Sequence, residues 1–105
     1  QTRLASKKPY LLITNDKVAG FIELDDDGHI DCTYVAPQYQ QQGVASALLT
    51  YVIQIAQRKG LTQLYVEASD IARPLFEKFG FLVTHKNKVM RNNTVLLNYT
   101  MHLAL

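Results

Sequence analysis

Gln40-x-x-Gly43-x-Ala45 is the stretch of this sequence best suited to binding chemistry. An apolar, β-rich run, Ile30 to Val35, leads into it, and a helical pattern leaves it at Val44. Small residues at 43 and 45 let a ligand come close to the backbone. The first N–H groups of a helix have no partner inside the helix and lie at the positive end of its dipole. A strand, a loop and a helix start in that order make an anion site, most naturally for phosphate. A second set of groups lies just upstream. His29, Asp31 and Thr33 fall on one face of the incoming strand by period two. Imidazole has the unperturbed pKa nearest neutrality, and His29 shares that face with the carboxyl of Asp31.

These groups need elements to hold them. Residues 1–8 read as a polar, basic lead-in. Pro9 to Thr14 is a short β-rich run, and Asn15-Asp16-Lys17 is a hairpin turn, because Asn and Asp tolerate the left-handed backbone. Val18 to Asp25 is the next strand, with Val18, Gly20 and Ile22 on one side and Ala19, Phe21 and Glu23 on the other. Asp25-Asp26-Asp27-Gly28 is a turn whose acids face water; a calcium loop needs more ligands at longer spacing. His29 to Val35 is the third strand. Val44 to Lys59 is an amphipathic helix with Val44, Leu48, Val52, Ile55 and Ala56 on its apolar face, closed by Gly60. Gln63 to Glu67 is a strand, expected to run parallel to the one before the helix through a right-handed crossover. Ser69-Asp70 offers an N-cap for a second helix reaching Phe79, although Pro74 delays its start. Phe81 to Val89 and Thr94 to Leu103 are the last strands, antiparallel across a turn at Arg91-Asn92-Asn93.

The loop resembles the acetyl-CoA loop of the GNAT superfamily of N-acyltransferases, which carries Gln/Arg-x-x-Gly-x-Gly/Ala at this junction; Gln40, Gly43 and Ala45 match. A second match is the run from Glu67 to Phe81, where the family often shows Asn-x-x-Ala-x-x-Leu-Tyr-x-x-x-Gly-Phe. Ala72, Leu75, Gly80 and Phe81 agree with it, while Ser69 stands at the Asn and Phe76 at the Tyr. The resemblance covers roughly residues 9–103 and implies an α/β (α+β) fold: a mixed, mostly antiparallel GNAT-like sheet with two helices after the acetyl-CoA loop. It implies acetyl-CoA as acyl donor and an amine-bearing acceptor. By resemblance, the backbone of Gln41, Gln42, Gly43, Val44, Ala45 and Ser46, with Gln40 at its head, serves the pyrophosphate. Tyr34 and Val35 pair with the pantetheine, and Ser69 lies near the cofactor. The base for the acceptor is expected at Asp31, His29 or Glu67, or in a water relay. The usual thiolate acid is the Tyr replaced by Phe76, which has no proton to give, leaving Ser69, another Tyr or water. Family members usually begin with a strand and two helices before the hairpin; these are not seen here, so the chain is expected to be a single domain over 1–105, truncated at its amino end. Bare apolar surface left by the missing part invites homodimerisation.

Composition limits the alternatives. The chain has 105 residues, a formal net charge of +2 and 48% hydrophobic residues. That is enough for one small core, and too balanced a charge to argue a nucleic acid or a membrane surface as partner. The single cysteine, Cys32, rules out an intrachain disulfide; it reads as a small buried hydrophobe and fits a reducing, cytoplasmic setting. No spacing suggests a metal site. Two other functions fit the loop: a non-catalytic acyl-CoA-binding or sensor domain, and a nucleotide-phosphate binder. The second lacks the Gly-x-x-x-x-Gly-Lys-Ser/Thr pattern.

Overall fold

Turn chemistry sets the first sheet. Asn15 and Asp16 hold φ of +53° and +61°, the paired left-handed conformation of a two-residue hairpin turn. The computed structural model describes residues 2–5, 10–40 and 43–105, with only the backbone described at 2–5 and at Cys32. The expectation that Cys32 is buried therefore falls outside the described side chains. β1 (Thr2–Ala5), β2 (Tyr10–Thr14), β3 (Lys17–Leu24) and β4 (Ile30–Val35) form an antiparallel sheet in chain order. Residues 1–8 are thus not merely a lead-in, since Thr2 to Ala5 pair with Thr14 to Leu11. A register shift opposite Leu12 and Ile13 breaks the alternation expected in β3. Ala19 is buried together with Ile22, while Val18 is 45% exposed.

A short 3₁₀ turn, Pro37–Tyr39, leads to α1 (Val44–Arg58). Its apolar stripe buries Val44, Leu48, Leu49, Val52, Ile55 and Ala56, one residue wider than the sequence pattern suggested. α1 packs on β2, β3, β4 and β5. β5 (Gln63–Ser69), α2 (Arg73–Lys78), β6 (Leu82–Arg91) and β7 (Thr94–Ala104) complete the chain. β7 lies between β5 and β6, antiparallel to both. α2 begins at Arg73, with Ala72 rather than Ser69 or Asp70 as its N-cap. Pro74 occupies its first turn, where a missing N–H costs nothing, and Ser69 belongs to β5.

The strands fall into two sheets, one of four strands and one of three. β4 and β5 meet only at a parallel bridge between His29 and Tyr65, supported by the Tyr65 N–H donating to the Gly28 carbonyl at 3.0 Å. Beyond that bridge the two strands diverge. The core runs beneath both sheets, from Tyr10, Ile22 and Leu24 through Leu48 and Val52 to Leu64, Phe81 and Met101.

Candidate active site

The divergence of β4 from β5 opens a cavity of about 590 Å³. Its floor is the start of α1. Gly43 is the N-cap at φ +77°, and no side chain caps it. Ala47 N–H donates to the Gly43 carbonyl at 2.9 Å, the first rung of the helix ladder. The N–H groups of Val44, Ala45 and Ser46 precede that rung, at the positive end of a 15-residue helix with no acid in its first turn. Thr33 and Val35 of β4 form one wall, and Ala72, Leu75 and Phe76 another. Phe76 is 4% exposed and packs edge-to-face on Phe81 at 5.2 Å, so it is wall and core at once.

Of the residues expected around the cofactor, Val35, Gln40, Gly43, Val44, Ala45 and Ser46 line this cavity. Gln41 and Gln42 lie outside the described residues. The Tyr34 ring does not line it and stacks on Phe21 at 5.3 Å. Ser69 does not line it either; its Oγ accepts the Ala72 N–H at 3.2 Å and closes the turn before α2. Sequence reasoning missed Tyr39, whose ring lines the cavity while its hydroxyl reaches the Thr14 carbonyl at 3.4 Å.

A polar cluster sits where β4 and β5 still touch. Leu64, Val66 and Ala68 turn inward, so by alternation Tyr65 and Glu67 face the other way, opposite His102 and Thr100 of β7. His29 reaches this face. Its Nε2 lies 2.7 Å from Glu67 Oε1, and its Nδ1 lies 3.4 Å from Asp25 Oδ2. Its ring stacks on Tyr65 at 4.8 Å, and Tyr65 stacks in turn toward His102 at 5.8 Å. The Asp25–Gly28 acids do not simply face water. Asp27 accepts the Tyr65 hydroxyl at 2.5 Å and the His29 backbone N–H at 3.1 Å. These bonds hold the Asp27 carboxyl below its usual range and push the Tyr65 hydroxyl up to about 12. Partial burial works against a charged His29, yet Glu67 and Asp25 together outweigh it and raise the imidazole above its usual value. Asp31 joins the group: one ligating atom each from Asp25, His29 and Asp31 lies within 4.8 Å of the others. Tyr65 was legible only as one of an alternating Gln63, Tyr65, Glu67 row.

Two sheets joined at one end and parted at the other, with the start of α1 lining the gap and a polar cluster at the joined end, make a mixed α/β domain. Residues 1–103 match the sequence profile of the acetyltransferase (GNAT) domain, and the chain belongs to that family. It is 34% identical over 99 residues to the uncharacterised N-acetyltransferase YafP of Escherichia coli K12, a match covering 94% of this chain and 62% of YafP. It is similar in structure to a GCN5-related N-acetyltransferase of Rhodopseudomonas palustris, with a TM-score of 0.84 and 32% identity over 91% of this chain and 60% of that one. A GNAT acetyltransferase of Elizabethkingia anophelis, solved with acetyl-CoA bound, shares the fold at a TM-score of 0.77 and 23% identity, over 91% of this chain and 74% of that one. The chain therefore spans about three fifths of the length of the first two.

Proposed function

We propose that this domain transfers an acetyl group from acetyl-CoA to the amine of an acceptor. The observation that carries the proposal is the cavity at the start of α1, bounded by Gly43 to Ser46 on one side and by the diverging β4 on the other. The residues present suit a CoA thioester. The N–H groups of Val44, Ala45 and Ser46 offer donors to phosphate oxygens, with no carboxylate in that turn to compete. Past His29, no described strand pairs with the β5-facing edge of β4, so its backbone groups can pair with an extended amide-bearing arm as an added strand would. Val35, Leu75 and Phe76 supply an apolar lining. Bound acetyl-CoA supplies an activated thioester carbonyl. The chain positions it, polarises it through backbone N–H groups and accepts the ammonium proton from the acceptor. Phe76 gives no proton, but a thiol of pKa about 8.5 leaves tolerably as a thiolate.

Isothermal calorimetry with acetyl-CoA, CoA and ATP tests the binding half. Binding of both CoA species with ATP silent is expected; no binding by either would sink the site assignment. A thiol-release assay across an amine panel then tests transfer. Acetyl-CoA binding without thiol release from any amine would favour a binding or sensor domain instead.

A further inference from the structure

Residue spacing alone suggests no metal site, yet the fold brings one ligating atom each from Asp25, His29 and Asp31 within 4.8 Å of one another. A β-bulge contributes to this. Glu23 faces Cys32 and Leu24 faces Ile30, so Asp31 is one residue too many on β4 and the alternation breaks there. What sets the group apart from an acidic turn is its imidazole. The His29 Nε2–H donates to Glu67 Oε1 at 2.7 Å, because a carboxylate only accepts, and the lone pair of the neutral ring is then on Nδ1. Nδ1 lies 3.4 Å from Asp25 Oδ2. That is longer than an ordinary N–H···O bond of about 2.7–3.2 Å. It matches the spacing of two ligands on a tetrahedral ion, which stand about 3.4 Å apart when each is about 2.1 Å from the metal. Glu67 completes the pattern from another strand. A ligating histidine commonly gives its second ring N–H to a carboxylate, which fixes the tautomer and the orientation of the ring. The His29 ring is also stacked on Tyr65 at 4.8 Å, and Asp27 holds its backbone N–H. Asp25 and Asp31 are exposed, so rotation of their side chains can close the remaining distance.

We propose that Asp25, Nδ1 of His29 and Asp31 form a binding site for a divalent transition-metal ion, zinc being the best match, with Glu67 positioning the imidazole from β5. One nitrogen and two carboxylates suit zinc better than calcium, which takes about six to eight oxygens. Three protein ligands leave a fourth position for water. The ion ties the β3–β4 turn to β4 and, through His29 and Glu67, to β5. It therefore clasps the two sheets at the end where they are joined. None of the three ligands lines the cavity at the start of α1. The site goes beyond the acetyltransferase reading and does not depend on it, since metal binding is measured without acetyl-CoA.

The test is calorimetric titration of the chelator-treated chain with zinc, and with calcium as control, at mildly alkaline pH so that the imidazole is deprotonated. Zinc should bind and calcium should be silent. Glu67→Gln should weaken zinc binding about ten- to a hundredfold, and loss of a ligand in Asp25→Asn, Asp31→Asn or His29→Gln should weaken it more. His85→Gln, which removes an exposed imidazole on β6, should leave it unchanged. Zinc should raise the melting temperature of the wild type but not of the ligand variants. Cobalt, as a coloured stand-in, should give the visible band of a four-coordinate ion in the wild type and lose it in His29→Gln. No zinc binding by the wild type would overturn the proposal. So would zinc affinity that is unchanged in His29→Gln or Glu67→Gln, or calcium binding as tight as zinc, which would mark an acidic turn only. Should His29→Gln fail to fold, Asp31→Asn decides, because its side chain is exposed and its replacement nearly isosteric. Zinc binding without acetyl-CoA binding would remove the acetyltransferase reading and leave this one; acetyl-CoA binding without zinc binding would do the reverse.

Discussion

Gly43 holds φ at +77°, and among the described residues, its chain neighbours aside, no atom lies within 4 Å of where a Cβ would stand. Backbone conformation alone therefore constrains the position. Gly43→Ala should cost about 1–2 kcal/mol, the usual penalty for an L-residue in the left-handed region. A lower melting temperature, together with weaker acetyl-CoA binding by calorimetry, is the expected result; unchanged binding would mean that the helix start does not seat the ligand. His29 makes a second prediction at this scale. Its folded-state pKa is raised, so the stability it contributes is complete below the ordinary imidazole value of 6.5 and is lost as pH rises through the folded value. Asp27 has the opposite sign: its depressed pKa contributes stability above the ordinary value of 3.8 that is lost as pH falls through the folded one. Urea midpoints of the wild type should therefore decline from mildly acidic toward mildly alkaline pH, and that decline should vanish in His29→Gln.

At the scale of elements, α1 does two jobs: its apolar stripe closes the core and its first turn floors the cavity. Leu48 is fully buried in that stripe. Leu48→Ala should destabilise by about 2–5 kcal/mol, and chemical denaturation should show it as a lower midpoint with an unchanged slope. The helix was legible in the sequence because its signals are local: a 3.6-residue apolar period and a glycine just past its end. The two hairpin turns were legible for the same reason, since Asn15, Asp16, Asn92 and Asn93 carry their backbone preference with them, and all four have positive φ. α2 was displaced because Pro74 constrains its first turn more strongly than Ser69 and Asp70 favour an earlier start. The loop residues could be proposed from spacing, whereas the His29–Glu67 contact could not. It joins residues 38 apart in sequence, and alternation says only that each faces outward, not that they meet.

The whole molecule depends on how two sheets are joined at one end and parted at the other. No local pattern announces this, because the junction of β4 with β5 is made by contacts between the β3–β4 turn and β5, residues far apart in the sequence. Gly28 is central to that junction. Its carbonyl accepts the Tyr65 N–H at 3.0 Å, while Asp27 beside it accepts the Tyr65 hydroxyl. Gly28 holds φ at +96°, and a Cβ there would run into the Gln63 carbonyl. Gly28→Ala is therefore strained in backbone and in space, and the least costly response is for the turn to withdraw from β5. Withdrawal would unstack His29 from Tyr65, separate it from Glu67 and free the two sheets to move against each other. The β2–β3 hairpin has its own ladder and turn, so it should be spared. Hydrogen exchange followed by mass spectrometry should show protection falling in residues 63–69 and 29–35 but held in 10–24. Uniform loss of protection would mean that the junction carries global stability rather than the relative placement of the sheets. Unchanged exchange would mean that packing on α1 alone fixes that placement. Activity should follow the junction: with β4 no longer held against β5, kcat should drop while calorimetric binding of acetyl-CoA at the α1 end is largely kept.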